Sequence, residues 1–305
     1  MNYKSIIKSR SLRLRILRFL SFVPDRLMIN IQYKIKTGRK LNLKNPKRFS
    51  EKLQWYKLYY KNPIMIQCVD KYEVRSFVEN KGLGSILIPI LGIYNSSTEI
   101  NWDLLPNQFV LKDTLGGGGA SVIIVKDKKT MDVNEVIKQA DSWIGINSRK
   151  KDGGREWPYY SGKGHRIIIE KFIEADTNDG NLVDYKFFCF YGKPEYIYVI
   201  ADREIGNGAA LGIFDSEFNR LNAFRNDERK LEKIITKPSQ FEEMKRIASI
   251  LSSDFPEARI DLYEVKGKIL FGEITFYDGS GYMTFSPDEF DYVLGEHFNL
   301  EEFKR

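Results

Sequence analysis

Arg259, Asp261, Glu273 and Thr275 are the residues of this chain whose types and spacing are best suited to chemistry. The stretch from Arg259 to Thr275 reads as two strands joined at Lys266 and Gly267. A three-residue loop with Gly267 left-handed would set Glu264 opposite Lys268, Arg259 opposite Glu273 and Asp261 opposite Phe271. Side chains alternate along strands, so Arg259, Asp261, Glu273 and Thr275 then share one face. Ile260, Leu262, Leu270 and Ile274 take the other. Two carboxylates on one face repel each other unless a cation or a proton lies between them. Hard oxygens beside an arginine suit Mg²⁺ that is holding phosphate oxygens. A plain hairpin with solvated charges, or an Arg259–Glu273 surface pair, fits the same residues. A two-residue loop would put the two acids on opposite faces.

A second set could hold phosphate. Lys112 ends the short β run Phe109–Lys112, and four glycines, Gly116, Gly117, Gly118 and Gly119, follow. Consecutive glycines let backbone N–H groups approach a phosphate without Cβ clashes, although four glycines alone also suit a flexible turn. The pattern is not a Walker A loop, because no GK[ST] opening a helix follows. Arg203 and the turn Asp278–Gly281 offer groups for a carboxylate or a sugar; a surface ion pair and an ordinary turn fit them equally. The chain has two histidines, His165 and His297, and no Ser-His or Cys-His arrangement. His165 reads as a loop contact, and His297 as a cation near the end of the last helix.

The elements that must position these residues can be read in outline. Residues 5–24 read as an amphipathic helix, with Ile16, Leu17, Leu20 and Val23 at helical spacing among arginines. Phe49–Tyr60 is an aromatic-rich helix. Asp70 caps a helix whose stripe is Val74, Phe77 and Val78, ending before Gly82. Strands are expected at Ile86–Ile90, Phe109–Lys112, Ser121–Val125 and Ile167–Ile173, with a hairpin of Tyr185–Tyr191 and Tyr196–Ile200. Asp132 caps a helix to Ile144, and residues 147–164 read as a mobile loop. Ser239 with Glu242, and Ser286 with Glu289 after Pro287, read as capping boxes opening two late helices. Strands and helices mixed without regular βαβ alternation give an α+β fold.

Composition bounds the rest. With 305 residues, 42% hydrophobic and 29% charged, the chain is globular and longer than one average domain. Its formal charge of +7 is uneven: residues 1–48 hold 14 Lys and Arg against one acid, Asp25, and the remainder holds 34 against 40. A slightly acidic body argues against a nucleic-acid enzyme with a broad basic face. Cys68 and Cys189 sit in apolar surroundings and read as buried thiols. Arg13, Arg15 and Arg18 interrupt the early apolar residues, so neither a signal peptide nor a transmembrane helix is expected. The basic arm suits packing on its own domain, or, through residues 5–24, peripheral contact with an anionic membrane surface. The expected location is cytoplasmic, with that peripheral contact at the inner face of the membrane.

Seven stretches in order resemble the TupA-like branch of the ATP-grasp superfamily, found in bacterial surface-polysaccharide gene clusters. They are residues 41–59, 70–78, 109–119, 167–174, 184–194, 259–263 and 271–282. The resemblance implies an ATP-grasp fold with ATP between a small lid and a C-terminal α+β part, plus a basic helical N-terminal arm. The implied division is 1–66 for the arm, 67–95 for an N-terminal α/β part, 96–173 for the lid with its glycine loop, and 174–305 for the C-terminal part. It implies that Lys71 and Lys112 hold ATP phosphates and that Gly116 to Gly119 close over them. Glu170, Lys171, Phe172 and Ile173 resemble the hinge that meets adenine, and Asp176 is set against the ribose. Lys186 matches a phosphate or substrate contact, Arg259 the arginine that steadies an acyl-phosphate, and Asp261 and Glu273 the Mg²⁺ ligands. Thr275 stands where an Asn often completes that metal site.

The activity so implied is an ADP-forming ligation of a carboxylate to an amine. Its expected substrates are a uronic acid or amino acid and an amine, with a lipid-linked glycan as a further partner and no nucleic acid. A sugar kinase using the same ATP site, a glycosyltransferase of the same pathway and a non-catalytic membrane scaffold are the rival readings. No Asp-x-Asp motif at a strand end favours the transferase.

Overall fold

Strand Asp184–Phe190 is buried along its whole length, and the larger sheet is built around it. The computed structural model describes residues 10–117, 121–144, 153–176, 181–204 and 208–303. Two compact units emerge. One comprises Met1–Asn62, Lys151–Trp157 and Asp176–Arg305, the other Pro63–Lys150 and Pro158–Ala175. The boundary expected at 95/96 falls inside the second unit.

The second unit carries a four-stranded antiparallel sheet: β1 (Ile90–Tyr94), β2 (Phe109–Asp113), β3 (Val122–Val125) and β4 (Ile167–Lys171), in the order β1-β4-β2-β3. Phe109, Leu111, Ile167 and Ile169 pack on Val136, Ala140 and Trp143 of helix Val133–Ile144. Asp132 caps that helix, accepting from Asn134 N at 3.0 Å and Glu135 N at 3.2 Å. By alternation the opposite face carries Val110, Lys112, Ile168 and Glu170. The strand expected at Ile86–Ile90 begins only at Ile90, because residues 84–86 form a 3₁₀ turn.

The first unit carries a six-stranded sheet of β5 (Asp184–Phe190), β6 (Lys193–Glu204), β7 (Gly208–Asp215), β9 (Arg229–Lys230), β10 (Glu257–Val265) and β11 (Lys268–Thr275). Its order is β11-β10-β5-β6-β7-β9. A two-residue pair, β8 (Phe224–Arg225) with β12 (Phe285–Ser286), stands apart from it. Strand β7 has no counterpart in the sequence reading: Gly208, Gly212 and two alanines break the β-branched alternation that signals strands.

One face of this sheet is closed by helix Phe241–Ser252, whose Phe241 ring lies 6.0 Å from Phe187. On the other face, at the Phe188–Phe190 end of β5, sits Phe49 of helix Phe49–Tyr59, with ring centroids at 6.0 Å and 5.8 Å. Helix Phe290–His297 packs beside it. The Lys186 end of that face is left to polar residues. Neither late capping box forms. Ser239 Oγ donates to Glu264 and Glu242 accepts from Lys237, while Ser286 Oγ donates to Asn226 and its own residue belongs to β12. A glutamate on the facing strand and a paired strand backbone supply stronger partners than the helix starts.

Residues 147–164 are not the uniform loop expected. Residues 145–152 lie outside the described part, Trp157–Ser161 is helical, and Arg155 is buried. Its guanidinium donates to Leu20 O at 2.6 Å, Ser21 O at 3.1 Å, Val23 O at 3.2 Å and Asp25 Oδ1 at 3.1 Å. Helices Arg10–Phe19 and Asp25–Thr37 are thus clamped at their junction. Among the described residues no helix is long and apolar enough to cross a membrane.

Candidate active site

The turn between β10 and β11 has two residues rather than three. Lys266 and Gly267 both take positive φ, 52° and 72°, as a mirror-image hairpin turn needs. Val265 therefore pairs with Lys268, Glu264 with Ile269 and Leu262 with Phe271. Left alone, that register would send the two acids to opposite faces. A bulge restores the phase: Gly272 is skipped, and Asp261 pairs directly with Glu273, Ile260 with Ile274 and Arg259 with Thr275. The expected register is wrong by the compensating pair of turn and bulge, and the expected shared face is right. Phe271, not Leu270, joins Ile260, Leu262 and Ile274 on the buried face.

Arg259 ties this face together. Its Nε donates to Asp261 Oδ1 and its Nη2 to Asp261 Oδ2, both at 2.8 Å. Nη2 also reaches Glu273 Oε1 at 3.2 Å and Thr275 Oγ1 at 3.1 Å, and Nη1 meets Asp278 Oδ1. Lys186, paired with Asp261 across β5 and β10, places its ammonium on Asp261 Oδ2, with Asp184 Oδ2 at 3.7 Å. Burial alone would lower the Lys186 pKa, but Asp261 and Asp184 outweigh it and raise it, so the ammonium is a fixed cation. Asp278 is shared: its other oxygen accepts from Arg225 Nη1 at 3.1 Å, and Arg225 also grips Asp227. Arg225 and Asp184 escaped the sequence reading; Arg225 lies on a two-residue strand with no motif around it.

The turn after β11 is unusual. Gly279 and Ser280 both take left-handed backbone, and Ser280 O accepts from Gln54 Nε2 at 3.0 Å and Lys57 Nζ at 2.9 Å. This carbonyl is therefore anchored. Arg203 lies on β6. Asp176 Oδ2 accepts from Lys266 N at 2.7 Å, so it braces the β10–β11 turn.

The second unit holds the other candidate set. Lys71 Nζ donates to Gly116 O, and its backbone N to Thr114 O at 2.9 Å. Gly116 can be nothing larger: a Cβ there would stand 2.6 Å from Ser121 Cβ. Gly117 is open, while Gly118 and Gly119 lie outside the described residues. Lys112 Nζ pairs with Glu170 Oε2 at 2.6 Å on one sheet face. Lys171 N donates to Pro89 O at 2.9 Å, and Phe172 and Ile173 follow beyond the end of β4. His165 Nδ1 meets Asp113, the last residue of β2, at 2.8 Å. Arg166 spans Asp70 and Glu73 at 3.0 Å and 2.9 Å, bracing the segment that carries Lys71.

Among the described residues no three or more His, Cys, Asp or Glu side chains gather as a metal site. The donor set on β10 and β11 nonetheless fits a divalent cation that arrives with phosphate. Asp261 and Glu273 offer two adjacent hard carboxylates, and Lys186 and Arg259 offset their charge. The Thr275 hydroxyl lies between Arg259 and Glu273, accepting from one at 3.1 Å and facing the other at 3.4 Å.

The family described as TupA-like ATPgrasp matches residues 51–299. No curated protein matches the sequence. Among solved structures, a D-alanine–D-alanine ligase from Bacillus anthracis complexed with ATP is 18% identical at a TM-score of 0.42, over 69% of this chain and 55% of that one. A second structure of that organism's D-alanine–D-alanine ligase gives 18% and 0.45, over 78% and 69%. An L-amino acid ligase from Bacillus licheniformis gives 18% and 0.41, over 70% and 44%. The chain thus spans roughly half the length of two of these three. Likeness at these values leaves the assignment to the family match.

Proposed function

Because this chain belongs to the TupA-like ATP-grasp family, we propose that it is an ADP-forming ligase that activates a carboxylate with Mg·ATP and joins it to an amine. One observation carries the reading. Asp261 and Glu273 face each other across β10 and β11, with Arg259 reaching both and Lys186 on Asp261. Such a face holds acid and cation pairs together where phosphate charge must be balanced.

In the first step a carboxylate oxygen attacks the γ-phosphorus, the bond from that phosphorus to the β-bridging oxygen breaks, and ADP leaves. In the second an amine nitrogen attacks the acyl carbon, inorganic phosphate leaves, and the nitrogen gives up a proton. Lys71 and Lys112 are assigned to the ATP phosphates and Gly116–Gly119 to the cover over them. Glu170–Ile173 is assigned to the adenine, with Asp176 at the ribose. Lys112 would exchange Glu170 for phosphate when nucleotide binds. Lys186 and Arg259 supply fixed positive charge for the acyl-phosphate oxygens. Arg203 and the 278–281 turn are assigned to the substrate's carboxylate or sugar. Asp261 and Glu273, with Thr275 beside them, would hold Mg²⁺, which when bound neutralises phosphate charge. None of these steps needs a side-chain nucleophile, which suits a chain with two histidines and two buried thiols.

The family's setting makes a uronic acid or an amino acid the proposed carboxylate, joined by amide formation in surface-polysaccharide synthesis, a narrowing by analogy. ADP release from Mg·ATP, measured against pooled amines and uronic acids, tests the reading. Turnover that needs both a carboxylate and an amine, and that vanishes in Asp261→Asn and Glu273→Gln, supports it. ADP release that needs only a sugar hydroxyl would replace the ligase with a kinase.

A further inference from the structure

Helix Asp25–Thr37 is packed by one side and on the other shows an apolar line beside exposed Arg26 and Lys34. Met28, Ile29, Gln32 and Tyr33 are buried, and Gln32 is pinned by Tyr282 at 2.5 Å and Gly153 O at 2.8 Å. A helix resting on its own domain normally shows polar residues outward. Here Leu27, Ile31 and Ile35, spaced four apart and so in one line, are 54%, 44% and 49% exposed. The preceding segment repeats the feature, with Ile16, Phe19 and Phe22 exposed at 39%, 77% and 75%. Of seventeen large hydrophobic residues exposed among those described, seven fall between Leu12 and Ile35.

Charge selects the occupant. Residues 10–37 hold seven Lys and Arg against one acid, Asp25, and that acid is engaged by buried Arg155. A second copy of so basic an arm would repel the first. A sheet of anionic headgroups over acyl chains complements both the cations and the apolar line. We propose that the helix pair of residues 10–37 lies on an anionic lipid bilayer, its apolar line at the acyl boundary and the exposed Arg15, Arg26 and Lys34 among the headgroups. This widens the contact expected for residues 5–24 to the second helix; residues 5–9 lie outside the described part. Arg155 holds the two helices at their junction. Such a contact is independent of the reaction that the enzyme catalyses.

The full chain is mixed with vesicles of phosphatidylcholine alone, or of phosphatidylcholine with phosphatidylglycerol, and sedimented. Binding to the anionic vesicles alone is expected, falling about tenfold or more in a Leu27→Ser, Ile31→Ser, Ile35→Ser triple variant and weakening with added salt. No binding, or equal binding to both vesicles, overturns the proposal. Light scattering that shows a dimer lost in the triple variant, without vesicle binding, replaces lipid with a second copy. Should the triple variant misfold, Ile31→Cys carrying an environment-sensitive fluorophore decides, since Cys68 and Cys189 are buried. A blue shift with anionic vesicles is expected, and unchanged emission overturns the proposal.

Discussion

Gly272 lies against Asp261: a Cβ on Gly272 would stand 2.9 Å from the Asp261 carbonyl oxygen and 3.3 Å from its Cβ. Gly272 is also the residue skipped between the Leu262–Phe271 and Asp261–Glu273 pairs. It therefore does two things at once. It lets the strands approach closely, and it shifts the register by the single residue that brings both acids to one face.

Gly272→Ala is expected to push β11 away from Asp261 and misplace Glu273. A displacement near 1 Å costs about 10²-fold in turnover, while the added methyl costs about 1–3 kcal/mol of stability. Carboxylate-dependent ADP release and thermal unfolding, measured together, check this. Unaltered turnover in the variant would show that the bulge does not set the site.

Asp261→Asn and Glu273→Gln are expected to part company in stability although both abolish turnover. Asp261→Asn leaves Lys186 and Arg259 buried beside a neutral group. Breaking such a buried pair costs roughly 3–5 kcal/mol, or a fall in Tm of roughly 10 °C. Glu273 has a side chain 38% exposed, and Arg259 keeps Asp261 and Asp278 without it. Its variant should unfold within about 1 kcal/mol of the parent. Equal losses in the two variants would contradict the division of labour read from the geometry.

Much of this site was legible because strand alternation is a short-range property. Arg259 with Asp261, and Glu273 with Thr275, each declare a shared face by spacing, and the turn and bulge decide that the two faces coincide. The register was not legible, since Lys266 adopts positive φ without being glycine and Gly272 gives no sign of being skipped. Two errors of one residue cancelled. Arg225 was invisible for another reason: only the pairing of β8 with β12, which follows the 278–281 turn, brings it to Asp278. The late capping boxes failed because Ser239 finds Glu264, a partner supplied by tertiary structure. Helices Phe49–Tyr59 and Val133–Ile144 were read to within one residue, as their stripes and breakers are local.

Arg155→Ala is expected to loosen the junction of the first two helices. The side chain is almost fully buried and serves three carbonyls and one carboxylate. Stripping these acceptors of their donor costs roughly 2–4 kcal/mol. Trypsin should cut between residues 10 and 37 faster, while cleavage elsewhere keeps its rate. If the arm is cut no faster, the clamp contributes little.

Glu257 offers the pH prediction. It is fully buried, and neither carboxyl oxygen has a hydrogen-bond partner among the described residues. Burial first, and Asp278 second, raise its pKa well above the ordinary 4.5, with Arg259 opposing. The folded value therefore exceeds the unfolded one, and the native state favours the protonated acid. Its contribution to stability is full below the unfolded value and shrinks as pH rises from there toward the folded value. Gln cannot titrate, so Glu257→Gln should gain on the parent as pH rises. The expected result is near-equal Tm at about pH 4 and a variant a few degrees more stable at about pH 8. A parent that gains stability relative to the variant between those pH values would mean that Glu257 is ionised and partnered in the folded protein.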